Sequence, residues 1–276
     1  MDASDSPPPT PLAAAGWYQI ALLVLLAAIW SSSFMFIKIG VATIPPATMV
    51  ACRMLLAAII LLAYVRVQGH RIPLTMAAWS TFAFVGVVGN VIPFWLISWG
   101  EIVVDSGLAA ILMGTMPVAT VLLAHAFTTD ERLTPRRGAG VVLGFAGTIL
   151  LVGVSALSGL GAAVLAQIAV VGGALCYAVT TVFVRRFARL PDPVMAAGAV
   201  SAGAIVIVPW AFLTDNPLAL SPSWQSLAAV AVLGVVSTGI AALIYFYLVR
   251  VVGAAVFSQV NFITPVLGVV IGIVFL

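Results

Sequence analysis

The sequence predicts an all-α integral membrane protein, and three observations carry this prediction. Of the 276 residues, 63% are apolar and only 7% are charged, whereas a soluble domain has about 25% charged and 45–50% apolar residues. The few charges leave long uncharged runs between them, and a helix needs ~20 apolar residues to cross the ~30 Å hydrocarbon core of a bilayer. The two halves of the chain also resemble each other, which predicts a duplicated unit.

Nine membrane-spanning helices follow from the uncharged runs. The run 138–184 is long enough for two helices, and Gly153–Gly161 is a suitable break between them. Pro46–Val65 is apolar except for Arg53 and supplies one more helix. The predicted helices are 18–37, 46–65, 74–98, 106–127, 138–154, 161–184, 193–213, 224–248 and 254–276. Residues 1–16, which begin acidic and Pro-rich, are predicted to form a disordered cytoplasmic tail.

The basic residues predict the orientation of these helices. If the N-terminus is cytoplasmic, nine of the eleven basic residues fall in cytoplasmic loops. They are Arg66, Arg71, Arg132, Arg136, Arg137, Arg185, Arg186, Arg189 and Arg250. Only Lys38 lies in an external connection, and Arg53 lies within a helix. By the positive-inside rule this bias predicts a cytoplasmic N-terminus.

A repeated pattern divides the chain into two units. Trp30–Lys38 matches Tyr177–Arg185 at an offset of 147, and a proline follows each segment at the same offset. Further matches in the same order are Trp79 with Trp224, Gly107 with Gly253, and Thr115–Val118 with Ile263–Val266. The first unit, residues 17–154, holds five helices, an odd number. The second unit, residues 155–276, therefore starts on the opposite side of the membrane, so the repeats are inverted.

The second unit is shorter than the first, and we expect one further helix. Only 11 residues follow Pro265, whereas the first unit continues for about 37 residues after its equivalent, Pro117. The nine predicted helices therefore belong to a ten-helix architecture whose last helix is not in this sequence. A stop codon directly after Leu276 in the gene would refute this expectation.

These features resemble the drug/metabolite transporter superfamily, in particular its EamA family. The resemblance is carried by the segment Trp30–Phe34 in the first helix, Arg53 early in the second, and Asp130–Thr134 after the fourth. Asp130 departs from the glycine that is common in the family at this position. From Gly16 onward the chain is similar to that family, and most similar to its exporters of the YddG type, which export aromatic amino acids. The resemblance implies a bacterial inner-membrane exporter that holds its substrate in a central cavity.

Helical periodicity selects candidate substrate contacts. Residues three, four and seven apart share a face. Trp30, Ser33 and Phe34 therefore lie together on the first helix, and Tyr177 and Thr180 lie on the matching face of the sixth. Two such aromatic and hydroxyl faces suit an amphiphilic aromatic substrate. The alternative is helix packing, in which Ser and Thr bond to a carbonyl of their own helix.

Four further polar residues in apolar helices are candidates for the same site, because an amide or hydroxyl in hydrocarbon must find a partner or water. They are Asn90, Thr238, Tyr245 and Asn261. Whether the two asparagines contact substrate or another helix is left open. Tyr245 is either a substrate contact or an anchor at the membrane interface.

Two prolines and four charged residues complete the candidates. Pro117 and Pro265 occupy equivalent positions and are candidate hinges, with a static kink as the alternative.

The charged residues near the outer surface are a candidate ion pair or gate, with snorkelling or a structural ion pair as the alternative. They are Lys38, Arg53, Glu101 and Asp105. Because no Asp or Glu lies near the middle of a helix, we expect that transport does not use a midplane carboxylate.

The expected function is that of a secondary transporter that exports small amphipathic metabolites by alternating access. Amino acids, and aromatic ones above all, are the favoured substrates. One alternative is an anionic substrate such as a sugar phosphate or nucleotide sugar, which would require several cations in the cavity. Another is a membrane-embedded enzyme, which would require clustered catalytic groups at one depth. We expect no cofactor, no metal site and no nucleic-acid partner. The expected partners are the small-molecule substrate and the lipid bilayer. We expect a monomer, with a dimer left open.

Overall fold

The computed structural model describes residues 16–129, 131–152 and 163–275, and these residues form nine helices. The helices are α1 (Trp17–Val41), α2 (Pro46–Val67), α3 (Met76–Gly86, Val87–Val91 and Ile92–Gly100), α4 (Ser106–Met113 and Thr115–Phe127), α5 (Pro135–Val152), α6 (Val164–Phe187), α7 (Asp192–Thr214), α8 (Trp224–Gly234, Val235–Ile240 and Ala241–Val252) and α9 (Ala254–Ser258 and Val260–Phe275). Seven of them, α1–α4 and α6–α8, are long and apolar enough to cross a membrane. The predicted fold class is confirmed.

Some predictions fall on residues that are not described. The tail is predicted over residues 1–16, of which 1–15 lie outside the described ranges. The boundary between the units at 154/155 and the break Gly153–Gly161 also lie outside them, and so does Asp130. The tenth helix stays a prediction.

Contacts at one end of the bundle show that the two units run in opposite directions. The Gln19 side chain, at the start of α1, donates to the Tyr247 hydroxyl at 3.1 Å. Arg185, at the end of α6, donates to the Arg250 main-chain carbonyl at 2.6 Å. Tyr247 and Arg250 both lie near the end of α8, so α1 begins where its equivalent, α6, ends. This is the geometry of an inverted repeat.

Helix packing follows the same symmetry. The first helix of each unit packs on the other unit, α1 against α8 and α9, and α6 against α3 and α4. In the centre of the bundle, α2 packs against α7. Each unit is therefore completed by the first helix of the other, which encloses the space between them.

Two equivalent glycines allow close crossings of α3 with α7 and of α8 with α2. A Cβ on Gly86 of α3 would overlap the main-chain oxygen of Ala199 in α7. A Cβ on Gly234 of α8 would lie 2.8 Å from Leu56 Cβ and 3.0 Å from the Arg53 main-chain oxygen in α2. These distances are shorter than van der Waals contact, so a side chain at either position would force the helices apart.

A buried carboxylate holds the start of α9. Glu131 is 5% exposed, and its two oxygens accept hydrogen bonds from the main-chain N–H groups of Ala254 (2.8 Å) and Ala255 (2.6 Å). Gly253, just before the helix, has φ +86°, and a Cβ there would lie 2.6 Å from Glu131 Oε1. The carboxylate satisfies N–H groups that have no partner within the helix and faces the positive end of its dipole. The loop of the first unit is thereby fixed to the second unit.

A second carboxylate acts similarly at the start of α2. Asp215, just after α7, accepts hydrogen bonds from the Thr48 main-chain N–H at 2.8 Å and from the Thr48 hydroxyl at 3.0 Å. Because α2 begins with two prolines, Thr48 is close to the first residue that has an N–H to satisfy. This contact joins the two central helices at the other end of the bundle.

Candidate functional site

A cavity lies between the two units, and every proposed substrate contact is on its wall. It holds about 1010 Å³ between its walls, its opening included, and side chains of α1–α4 and α6–α9 line it. The proposed contacts on the wall are Trp30, Ser33, Phe34, Asn90, Tyr177, Thr180, Thr238, Tyr245 and Asn261. Residues on five helices, selected from periodicity on two of them and from polarity on the other three, thus meet at one place. That these residues bind a substrate stays a prediction.

Three aromatic rings form one side of the cavity. Phe257 of α9 is fully buried and lies edge-on to Trp30, with ring centroids 5.9 Å apart, and edge-on to Tyr245, at 5.1 Å. The Tyr245 hydroxyl donates to Thr181 Oγ1 of α6 at 3.4 Å. Tyr245 therefore faces the cavity, and a contact with substrate stays a prediction. This aromatic wall, made of Trp30, Tyr245 and Phe257, joins helices of both units.

The hydroxyl groups of the cavity differ in their bonding. Ser33 Oγ donates to the Ile29 carbonyl at 2.9 Å, four residues back in its own helix, which is the packing role that the sequence left as an alternative. Thr180 and Ser237 behave differently, because their hydroxyl oxygens are buried and have no hydrogen-bond partner among the described residues. Since buried polar atoms are rarely left unsatisfied, these two hydroxyls are candidates to bind a ligand or water.

Two π-helical segments shape the cavity at equivalent positions. In α3 the segment is Val87–Val91 and in α8 it is Val235–Ile240. Asn90 Nδ2 donates to the Val85 carbonyl at 3.3 Å, and Thr238 Oγ1 donates to the Leu233 carbonyl at 2.9 Å, five residues back in each case. Asn90 and Thr238 are 148 residues apart, so they are repeat partners. Single π turns are frequent at functional sites, and here they present one polar side chain from each unit.

Arg53 lies in the cavity and is 3% exposed. Its Nε donates to Thr238 Oγ1 at 2.5 Å, and its guanidinium carbon lies 3.7 Å from the Phe94 ring centroid. From the sequence, Arg53 is a candidate for an ion pair or gate with Glu101 or Asp105 near the outer surface, whereas the structure gives it Thr238 and Phe94 as neighbours. Whether Arg53 acts as a gate stays a prediction.

The other three charged residues lie outside the cavity. Lys38 Nζ donates to the main-chain carbonyls of Glu101 at 2.6 Å and Val104 at 3.5 Å, at the end of α3. Arg185 makes the equivalent contact with the Arg250 carbonyl at the end of α8. Lys38 therefore caps helix carbonyls, as cations at a C-terminus do. The Glu101 side chain is buried, and Asp105 is exposed at the start of α4.

The two candidate hinge prolines are buried beside helix breaks. In α4 the break is at Gly114, three residues before Pro117; in α9 it is at Gln259, six residues before Pro265. Asn261 lies between the second break and its proline, and its Nδ2 donates to Met116 Sδ in α4 at 2.9 Å. Asn261 thus contacts both another helix and the cavity. Bending at the prolines stays a prediction.

Phe94, Ser237 and Phe257 are among the cavity residues that are absent from the sequence-based set. Phe94 and Phe257 are each one turn from a selected asparagine, Phe94 after Asn90 and Phe257 before Asn261, so the same periodicity would have found them. Ser237 is next to Thr238 and lines the cavity within the π-helical part of α8.

The fold and the cavity together define a class of protein. Long apolar helices in two inverted units, with a polar and aromatic cavity between them, are the architecture of a multi-pass membrane transporter. The chain belongs to the EamA-like transporter family, whose model matches residues 17–153 and 164–276. The resemblance to this family that was drawn from the sequence is confirmed.

Individual relatives agree with this assignment. YedA of Escherichia coli (strain K12), named an uncharacterized inner membrane transporter, is 30% identical over 91% of this chain and 80% of its own length. YddG of Ancylobacter novellus, named an aromatic amino acid exporter, is 31% identical, over 50% of this chain and 46% of its own length. A solved crystal structure superposes with a TM-score of 0.74 at 22% identity, covering 93% of this chain and 88% of that one, which supports the fold.

Proposed function

We propose that this transporter exports small amphipathic metabolites, in particular amino acids with aromatic side chains, from the cytoplasm across a bacterial inner membrane. The observation that carries the proposal is the inter-unit cavity, whose wall combines the rings of Trp30, Tyr245 and Phe257 with hydroxyl and amide groups from both units. Rings take up an apolar body and precisely placed polar groups orient it, as in other small-molecule sites. The name of the YddG relative supports aromatic amino acids as the substrates to test first.

Alternating access is the proposed mechanism, with the N-terminus in the cytoplasm. Polar contacts between the units exist at both ends of the bundle, Glu131 with α9 at one end and Asp215 with Thr48 at the other. Alternate breaking of these contacts would open one end at a time. Because α1 packs on the second unit and α6 on the first, the moving bodies would combine helices of both units.

Highly charged substrates fit the cavity less well. Arg53 is the one charged residue among the described residues that line it. A sugar phosphate or nucleotide sugar would bring at least two negative charges into the cavity. Arg53 can pair with only one of them, and burying the second charge without a paired cation would cost several kcal/mol. We therefore propose substrates whose net charge is no more negative than −1.

Transport into proteoliposomes tests the proposal. The purified protein is reconstituted and uptake of labelled L-phenylalanine, L-tryptophan and L-leucine is compared with that of a sugar phosphate and a nucleotide sugar. Saturable uptake of the aromatic amino acids, lost in Tyr177→Ala and Asn261→Ala, is the expected result. Tyr64→Ala is the matched control, because Tyr64 lies exposed near the end of α2 and outside the cavity. Uptake of the phosphorylated compounds alone would refute the proposal.

A further inference from the structure

The cavity contains one buried cation whose surroundings are neutral. Arg53 is 3% exposed, its guanidinium stacks on the Phe94 ring, and its hydrogen-bond acceptor is the Thr238 hydroxyl. Within the described part of the chain no carboxylate pairs with it. A buried charge without a counter-charge is costly in a membrane protein, and such residues commonly mark substrate pathways. The arrangement therefore favours an anionic group supplied by a ligand.

The position of the guanidinium suits a carboxylate. The guanidinium carbon lies 3.7 Å from the Phe94 ring centroid, and the bond from Nε to Thr238 orients the group. Arg53 uses Nε to donate to Thr238, so the N–H groups of Nη1 and Nη2 are available to a further acceptor. Two parallel N–H groups match the two oxygens of a carboxylate, and such paired bonds are stronger and more directional than a single one.

The rest of the cavity is suited to the other parts of such a ligand. The rings of the aromatic wall accept an apolar body. The hydroxyl oxygens of Thr180 and Ser237 are buried without a partner among the described residues, and they are able to accept hydrogen bonds from an ammonium group. They carry no charge, however, so they would bind an ammonium more weakly than Arg53 binds a carboxylate.

We infer that Arg53 binds the carboxylate of the substrate, and that the transporter selects amphipathic monocarboxylates, with the ammonium group of an amino acid contributing little to selection. This inference rests on the proposed function and narrows it. It makes an asymmetric prediction for analogues of phenylalanine. Removal of the ammonium group, as in 3-phenylpropionate, preserves binding, whereas removal or neutralisation of the carboxylate, as in phenethylamine or L-phenylalaninamide, abolishes it.

A purely structural role for Arg53 predicts a different pattern. In that case Arg53 joins α2 to α8 through Thr238, and its replacement lowers stability and transport of every substrate alike. Selection between carboxylates and amines would not change. The two roles are therefore separated by ligand selectivity and not by loss of activity.

The experiment measures competition with labelled L-phenylalanine uptake in proteoliposomes that contain the full chain. The competitors are 3-phenylpropionate, phenethylamine and L-phenylalaninamide. The variants are Arg53→Gln, which removes the charge, and Arg53→Lys, which keeps the charge but not the paired N–H groups. Arg66→Gln is the matched control, because Arg66 is an exposed arginine of the same helix. Thermal stabilisation of the purified wild-type protein by the same compounds gives a second measurement that does not depend on any variant folding.

The expected result is that 3-phenylpropionate competes with and stabilises the wild-type protein, and that the amine and the amide do neither. Arg53→Gln is expected to weaken phenylalanine binding at least about tenfold, the loss of a charge-assisted hydrogen bond, and to bind the amide as well as the acid. Arg53→Lys is expected to be intermediate, and Arg66→Gln unchanged. Equal competition by phenethylamine and 3-phenylpropionate in the wild-type protein overturns the inference while leaving amino acid transport intact. Failure of every amino acid to be transported overturns the proposed function as well.

Discussion

Replacement of Glu131 by glutamine tests a buried contact between the two units. Both carboxylate oxygens accept main-chain N–H groups, at 2.8 and 2.6 Å, in a site where Glu131 is 5% exposed. Glutamine keeps one acceptor and turns an NH₂ group toward the other N–H. The loss of one charge-assisted hydrogen bond costs about 1.5–3 kcal/mol, and the loss of the negative charge at the helix N-terminus costs a further ~0.3–1 kcal/mol. Glu131→Gln should therefore destabilise the protein by about 2–4 kcal/mol.

Thermal unfolding in a fixed detergent concentration is the assay, followed by the fluorescence of the seven tryptophans. For a chain of this size, each kcal/mol lowers Tm by roughly 2–4 °C, so a fall of at least about 4 °C is expected for Glu131→Gln. Asp105→Asn is the matched control, because Asp105 precedes α4 but its side chain makes no capping bond there. Its cost should stay within about 1 kcal/mol, because only the interaction of the charge with the helix dipole is lost. Equal Tm values for the two variants would refute the reasoning.

Two further predictions concern contacts between helices. Gly86→Ala should destabilise the protein by about 1–3 kcal/mol in the same unfolding assay, because the added Cβ overlaps the Ala199 carbonyl. Gly147→Ala is the control: a Cβ there meets nothing within 4 Å, so this variant should be neutral or stabilised by up to about 1 kcal/mol. A lower Tm for Gly147→Ala than for Gly86→Ala would contradict the prediction. In a double-mutant cycle of Asp215→Asn and Thr48→Val, the changes in the free energy of unfolding should be non-additive by about 0.5–3 kcal/mol, since one carboxylate oxygen accepts both Thr48 bonds. Additive effects would show that the contact does not stabilise the protein.

Much of the fold was predictable because the bilayer restricts the choices. The nine helices predicted within this sequence are all present among the described residues, and the bounds of α2 and α4 differ from the prediction by two residues or fewer. A segment in hydrocarbon has to satisfy its main chain internally, so length and apolarity suffice to identify it. The inverted direction of the units also followed from counting, since an odd number of helices reverses the second copy.

The residues of the site were predictable for a related reason. Polar side chains within apolar helices avoid lipid, so Asn90, Thr180 and Asn261 had to point inward, and the repeat indicated that they would share one interior. Their partners were not predictable. Thr180 is left with no hydrogen-bond partner among the described residues, whereas Asn261 donates to Met116, 145 residues away. Nothing in the local sequence separates the two.

The sequence by itself determined the class of fold, the number and order of the helices in the chain, and the set of side chains that face inward. Tertiary structure alone decided which of them meet. Arg53 illustrates the difference: its charge indicated function, but its place beside Phe94 and Thr238 depends on the crossing of α2 with α8 at Gly234 and on the π-helical turn that rotates Thr238 into the cavity. Helix formation depends on neighbours along the chain, whereas the pairing of side chains depends on how preformed helices pack, and that packing is a property of the whole bundle.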